Sequence, residues 1–473
     1  MEIAGNDCRD LQEEEMLQNK EQESRSARSF RVLKQLGFTI IASLGHFSTG
    51  SVLTWPSPAL SDLARNNVTW VGTELVLTSM QVDMTGSLVS LGSILGVLMG
   101  GTMVTRLGRR RSMQTAVAPW LIGLVALALA PNVHVLLLAR LLLGFTSGVS
   151  AVAGALYTTE IVDAEVRGIM YNILCLNVTL GGLFAVGVGY FVRWFHLAMI
   201  CTIPPSLLLI GSFFLPDSPT LLVVRGEKIE ALRVLRKLRG PHANLKSEIE
   251  VIEMKNSFRA DGWQKLLNRY IVKRIIIVVM LMAFLFLCGN DVFIVHTARI
   301  LREAGYPMDA DIGTTTVAVV RIVGMLVSFL LVDRMGRRPS LVASYAISSV
   351  FLIVLGVYVH LTETATPEDT TSSALGWVPL VSVIMISFGL QIGAQPVTFL
   401  LSAEYFPTSV RGQTFSICYS SGMLCSFLVL QVYNLMVDAF TLSGYYWFCA
   451  AISFVAVIFT LIFVRETKGE NVG

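Results

Sequence analysis

Twelve stretches of about 20 mostly apolar residues run along this chain, each the length an α-helix needs to cross the hydrocarbon core of a bilayer. They fall near Val32–Thr54, Met84–Val104, Met113–Ala130, Val133–Ala155, Ile169–Phe191, His196–Leu215, Ile275–Ile294, Ile312–Val332, Leu341–Leu361, Val378–Leu401, Phe415–Val437 and Tyr445–Val464. In lipid the main-chain amides and carbonyls have no water to bond, so runs of this kind fold as helices that satisfy themselves. Only Pro131-Asn132 separates the third run from the fourth. The chain is 53% hydrophobic and 15% charged over 473 residues, with a mean hydropathy of +0.65. A soluble domain carries about 25% charged residues. The fold class expected is therefore an all-α membrane protein with twelve transmembrane helices.

The polar segments between the runs set the organisation. Residues 1–31 read as a polar tail bearing Glu13, Glu14 and Glu15, and 32–215 as a first six-helix half. Residues 216–274 read as a helical linker, 275–464 as a second six-helix half and 465–473 as a short tail. The first apolar run is too long for a signal-peptide core and is expected to stay as an uncleaved span. Within the linker, Ile229, Leu232 and Leu235 mark the apolar face of an amphipathic helix over Glu227–Arg239. Lys and Arg near span ends collect on the cytosolic side. Here they collect in the loops holding Arg106, Arg109, Arg110 and Arg111, then Arg334, Arg337 and Arg338, and in the linker. Both termini are then expected in the cytosol.

Composition excludes other classes. A net charge of +3 gives no basic patch for nucleic acid. Cys8 lies in the tail, whereas Cys175, Cys201, Cys288, Cys418, Cys425 and Cys449 sit in apolar runs without metal or disulfide spacing. They read as small buried side chains. No nucleophile–base constellation, phosphate loop or metal motif is present, so neither an enzyme nor a cofactor is expected.

The two halves repeat each other. Arg106-Leu-Gly-Arg-Arg-Arg-Ser112 recurs as Arg334-Met-Gly-Arg-Arg-Pro-Ser340, each after the second helix of its half. Glu160 with Arg167-Gly168 recurs as Glu404 with Arg411-Gly412, and Asp217-Ser218 is echoed by Glu466-Thr467. Gly108 and Gly336 supply the tight turns, and the flanking charges can satisfy helix ends and one another. Such pairs are expected to hold the halves closed at the cytosolic face and to release as the halves rock, a motion typical of duplicated six-helix transporters. The plainer reading is that the arginines only fix topology.

On these residues the chain resembles the sugar porter family of the major facilitator superfamily. The resemblance spans about Leu33–Gly469 and includes Pro216-Asp-Ser-Pro219 after the sixth helix and Glu466-Thr-Lys-Gly469 after the twelfth. Ser57-Pro-Ala-Leu60 and the second run are similar to the arthropod trehalose-transporter-like branch. The resemblance implies a cytosolic gate of Arg106, Gly108, Arg109, Arg110, Glu160 and Arg167 in the first half. In the second half the gate comprises Asp333, Arg334, Gly336, Arg337, Arg338, Glu404 and Arg411. Two positions depart from the family pattern, with Thr105 in place of Asp and Thr220 in place of Arg.

The positions that the resemblance assigns to the sugar cavity depart further. The paired glutamines of the seventh helix fall on Leu285 and Phe286, an Asn on Asp291 and a Tyr on His296. The amide of the eighth helix falls on Arg321, the Gln of the fifth on Cys175, and the Trp and second Pro of the tenth on Phe399 and Thr398. Sugar hydroxyls are best met by amides that donate and accept, and these positions have lost them. A charge such as Arg321 inside an apolar helix costs about 2.5–3.5 kcal/mol, and an Asp291–Arg321 pair in the cavity is expected, either as a structural closure or as a site for a charged or zwitterionic solute. His296 reads as a packed residue or a proton relay, and Arg299 as facing the outer mouth. Arg140 matches a family Arg whose partner in proton-coupled relatives is an Asp of the first helix. Ser48 stands in that place, with His46 nearby as an alternative, so facilitated diffusion is the expectation. Asn67-Val-Thr69 is a glycosylation sequon in an expected outer loop, while Asn177-Val-Thr179 lies within a span.

The resemblance thus implies a plasma-membrane carrier, active as a monomer and moving trehalose or a hexose. A facilitator of a charged or polar organic solute, and a non-transporting sensor on the same fold, stand as alternatives.

Overall fold

The computed structural model describes residues 25–163, 166–239, 245–257, 268–364, 376–406 and 410–466. Among them there is no β-strand, only an isolated bridge between Val68 and Glu74. Eleven helices are long and apolar enough to cross a membrane on hydropathy alone. The helix that hydropathy leaves out is the third, Arg109–Ala128, whose first turn carries three arginines. It is nonetheless a membrane helix of the first half, with Trp120 and Leu124 buried in that half's core.

The spans keep their expected order, and several are broken where the sequence demands it. The first runs over Arg25–Thr54, so residues 25–31 of the polar tail are helical, and restarts at Pro56 as Pro56–Arg65. The second, Ser79–Arg106, opens on a capping box between Thr78 and Gln81. The fourth, Val133–Ile161, is capped by Asn132, the residue that ends the ambiguous stretch between the third and fourth runs. The fifth is Arg167–Gly189, and the sixth is split into Trp194–Ile200 and Ile203–Ser212 ahead of Pro204 and Pro205. The eighth and ninth are Ala310–Met335 and Arg337–Thr364. The eleventh, Arg411–Gln431, continues through 433–440, and Thr441 at φ 64° makes the turn into the twelfth within Tyr433–Phe463.

Close approach inside the first half depends on glycine. Gly92 and Gly96 of the second helix face Gly144 and Gly148 of the fourth, and a Cβ on Gly92 would sit 2.1 Å from the Leu141 carbonyl. This is the small-residue spacing that lets membrane helices touch backbone to backbone. The linker forms Pro219–Val224, Lys228–Arg239 and Leu245–Ser257. It is fastened to the first half: Gln35 donates to the Leu238 carbonyl at 3.2 Å, and Arg239 pairs with Asp163 at 2.9 Å.

Candidate functional site

The Gly108 and Gly336 loops, each followed by arginines, lie on one basic face of the protein, opposite a far face. Both glycines have φ above +90° and precede the first residue of a helix, a conformation that L side chains rarely adopt. A Cβ at Gly336 would also lie 2.5 Å from Glu466 Oε2. Glu466 accepts from the main-chain amides of Arg337 and Arg338 at 2.9 and 3.1 Å, satisfying orphan donors at a helix start. Arg109 pairs with Glu160 at 2.6 Å, and Arg337 with Glu404 at 2.9 Å. Glu160 also accepts from Ser218. Arg110 donates to the Ser212 and Phe213 carbonyls at 2.9 and 3.1 Å, and Arg338 donates to the Leu461 carbonyl. Tyr405 accepts the Arg465 amide at 3.2 Å and donates to its carbonyl at 3.1 Å, and burial pushes its phenol up to about 12.

These contacts give the partners of the described gate residues. Glu160 pairs with Arg109 and not with Arg167, which is exposed at the start of the fifth helix and has no ion pair among the described residues. The described ion pairs of the basic face lie within one half, within the linker, or between the first half and the linker. The Arg109–Glu160 and Arg337–Glu404 pairs fasten helix ends within their own halves. Among the described residues, Arg106 lends its carbonyl to Arg225 at 3.2 Å, and Arg334 is exposed. The side chains of Asp333 and Arg411 lie outside the described residues. Thr105 bonds carbonyls of its own helix.

Closure lies on the far face. Arg65 meets Asp311 at 3.0 Å, Ser61 donates to Asp311 at 2.9 Å, and Arg302 donates to Ser61 at 2.9 Å. Deeper in the same seam, Asn434 Nδ2 donates to Asp83 at 2.7 Å, Ser87 to Gln431 at 2.8 Å, and Ser90 lies 2.9 Å from Ser426. Every one of these bonds joins the first half to the second. Arg299 sits at this mouth as expected, bonded to Glu303 and Asn434. The Asn67 sequon lies in the far-face loop and lines the vestibule there, with Thr69 buried against Thr73. Asn177 bonds its own helix at the Ile173 carbonyl, 3.0 Å away.

Between the halves lies a central cavity that Cys175, Leu285, Phe286, Asp291, Arg321 and Phe399 all line. His296 does not. It is 2% exposed, stacks on Tyr433 at 4.8 Å and places Nε2 4.0 Å from Asp83 in the far-face seam. The cause is a twice-broken seventh helix. Gly289, at φ +90°, separates Arg269–Leu287 from Asn290–Val295, and His296 separates that from Thr297–Glu303. The first break presents Asn290 and Asp291 to the cavity, and the second turns His296 into the seam.

The expected Asp291–Arg321 ion pair is absent at 4 Å. Arg321 is taken by the tenth helix, in which Val378–Gly389 and Gln395–Glu404 are joined by a π turn, Leu390–Ala394. Ser344 satisfies the loosened backbone, donating to the Gly389 carbonyl at 2.6 Å and accepting the Ala394 amide at 2.7 Å. With its carbonyl turned to Arg321, Gln391 accepts from Nη2 at 2.8 Å and Nε at 3.2 Å. Gln395 accepts from Nη2 at 3.3 Å. Asp291 accepts from Asn290 at 2.8 Å and from Ser426. The cavity wall therefore keeps two amides that the family positions do not reveal, Asn290 and Gln395, with Gln391 buried and bonded to Arg321. Their signal in the sequence is the pair Gln391 and Gln395, four apart in an otherwise apolar run, and Asn290 beside Asp291.

Arg140 is fully buried and donates to the Thr85 carbonyl at 2.8 Å and the Val52 carbonyl at 2.7 Å, beneath Trp55. It is thus held by main-chain carbonyls and has no described ion pair, while His46 lines the cavity. The six described cysteines are free thiols.

Two repeated six-helix units around a central cavity, shut by polar contacts on one face, define a multi-pass membrane transporter fold. The chain belongs to the family described as "Sugar (and other) transporter", which matches residues 16–472. Among its relatives is the facilitated trehalose transporter Tret1 of Drosophila willistoni, 29% identical over 434 residues that make up 91% of this chain and 49% of that one. The Tret1 protein of Drosophila yakuba is 29% identical over 435 residues, 91% of this chain and 50% of that one. The chain spans about half the length of these relatives. In fold it is similar to the proton:xylose symporter XylE bound to 6-bromo-6-deoxy-D-glucose, at a TM-score of 0.77 and 22% identity, covering 92% of this chain and 97% of that one. It is equally similar to the partially occluded inward-open XylE of E. coli, at 0.77 and 21%, covering 92% and 99%.

Proposed function

We propose that this protein carries a carbohydrate, trehalose or a hexose first, across the plasma membrane by facilitated diffusion with alternating access. The observation that carries the reading is the cavity lined by both halves, with the described inter-half hydrogen bonds and ion pairs gathered on the far face. Family membership and the printed function of the Tret1 relatives support a carbohydrate as the solute. On this reading the basic face is cytosolic, as are both termini, and the closed far face is the outer one. The state described is then closed to the outside. Cys175, Leu285, Phe286, Asp291, Arg321 and Phe399 line the path. The Arg109–Glu160 and Arg337–Glu404 pairs keep each half rigid as it rocks. The protein works as a monomer, and Asn67 carries a glycan on the outer loop.

Labelled trehalose and glucose uptake into cells expressing the chain tests this reading. Saturable uptake of either is expected. No uptake of either sugar at normal surface expression would reject it. Digestion with an amidase that removes N-glycans checks the topology: a mobility shift, lost in Asn67→Gln, is expected, and an unshifted band would reject the glycan.

A further inference from the structure

Two opposite charges line the central cavity without meeting. Asp291 and Arg321 attract each other across it, yet no ion pair within 4 Å joins them. Each is held by neutral groups alone: Asp291 by Ser426 and Asn290, Arg321 by Gln391 and Gln395. Neutral partners fix the direction of a charge and leave it uncancelled. Bonding capacity is also unspent. A carboxylate takes about four hydrogen bonds, and Asp291 receives two. Arg321 Nη1 has no acceptor among the described residues.

The rest of the wall is neutral: Thr54, Tyr171, Tyr419, Asn290 and Gln395 line it with hydroxyls and amides, and no further described carboxylate, lysine or arginine does. Thr49, Thr179, Thr314 and Ser93 line the cavity, but each gives its hydroxyl proton to a main-chain carbonyl. Leu285, Phe286 and Phe399 are apolar. A neutral polyol could bond the neutral hydroxyls and amides but would leave both charges desolvated and uncompensated, which is costly in a low-dielectric site. An anion gains at Arg321 and loses at Asp291, and a cation does the reverse. A solute with both charges gains at both ends and leaves the cavity neutral.

We infer that the central cavity takes a net-neutral, zwitterionic solute, its anionic group on Arg321 and its cationic group on Asp291. An amino acid or an amino-sugar acid has this pattern. The inference rests on reading the cavity as the transport site, and it puts a zwitterion in place of trehalose or a hexose as the solute carried there.

The purified full chain in proteoliposomes tests it. The probes are glucose, trehalose, glucosamine, glucuronate, and a ladder of ω-amino acids from glycine to aminohexanoate, each rung beside its N-acetylated and carboxamide counterparts. Saturable uptake of one rung, exceeding both blocked counterparts by about tenfold or more for each lost charge contact, is expected. Asp291→Asn and Arg321→Gln should each abolish that uptake, and Arg321→Lys should keep part of it. The ladder is read on the unmutated chain, so a variant that fails to fold does not weaken the result. Saturable glucose or trehalose uptake with no rung carried overturns the inference and leaves the carbohydrate reading standing. No uptake of any probe by a monodisperse preparation overturns both.

Discussion

Ser90 of the second helix and Ser426 of the eleventh lie 2.9 Å apart, oxygen to oxygen, across the seam between the two halves. Ser426 gives its proton to Asp291. A hydroxyl has one proton to give, so Ser90 must be the donor in the inter-half bond. The chain of donation runs Ser90 to Ser426 to Asp291. One hydroxyl therefore connects the cavity carboxylate to the opposite half of the molecule.

Ser426→Ala cuts both bonds and is expected to weaken far-face closure by about 1–2 kcal/mol. The readout is labelling of a Ser57→Cys reporter, buried in the closed far face, by a membrane-impermeant maleimide. Labelling should rise by roughly tenfold, and Ser90→Ala should raise it in the same direction. The double variant should fall short of the sum of the two singles, as for coupled neighbours. Unchanged labelling in Ser426→Ala would show that closure does not depend on this chain.

Asp83 is 2% exposed, and Asn434 is its described hydrogen-bond partner. Asn434→Leu keeps the size of the side chain and the main-chain amide bond but removes the side-chain donor to the carboxylate, at a cost of about 1–3 kcal/mol. A lower melting temperature in detergent is expected. Adding Asp83→Leu should restore part of the loss, since removing both partners is cheaper than stranding one. A double variant less stable than Asn434→Leu would rule this account out.

The two basic-face pairs are not equal. Arg109 and Glu160 have side chains 3% and 13% exposed, against 15% and 27% for Arg337 and Glu404. Solvent screens the second pair more. Arg109→Ala is expected to lower stability by about 2–3 kcal/mol, and Arg337→Ala by about 1 kcal/mol beyond the loss of its packing. Melting followed by size-exclusion chromatography gives the order, and the reverse order would contradict it.

Gly336→Ala strains a left-handed turn and drives a methyl against Glu466, whose carboxylate caps the ninth helix. A loss of about 1–3 kcal/mol is expected. Glu466→Gln keeps an acceptor and should lose less than Gly336→Ala. Equal losses would mean that the cap, and not the backbone, sets the cost.

Arg140 is held by main-chain carbonyls and has no described ion pair, so it lacks the carboxylate that would couple it to a proton. On the facilitated-diffusion reading, a proton ionophore should leave initial solute uptake unchanged. A fall in uptake would point to a titrating group elsewhere in the cavity, with Asp291 the first to test by Asp291→Asn.

Much of the architecture is legible in the chain. Twelve apolar runs, repeated Gly-Arg-Arg loops and clustered basic residues give the twelve-helix order, the two halves and the positions of the turns. The structure keeps each of these, down to Gly108 and Gly336 at matching φ. The cavity is only partly legible. Six of the eight positions carried over from the family line it, His296 and Thr398 being the exceptions, and the partners of the site residues follow from the packing. Glu160 chooses Arg109, Arg321 chooses Gln391 and Gln395, and His296 leaves the cavity for the seam.

The division has a physical cause. Crossing a membrane depends on length, apolar content and the sign of flanking charge, all of them properties of a stretch of sequence. A side-chain contact depends on where a residue points, and each residue turns a helix by about 100°. A break at Gly289, a second at His296 and a π turn at Leu390–Ala394 reset that rotation where the site is built. The sequence by itself therefore determined the number of spans, the duplication and the basic face. Only the packed structure decided which charge met which partner, and which face of the protein was closed.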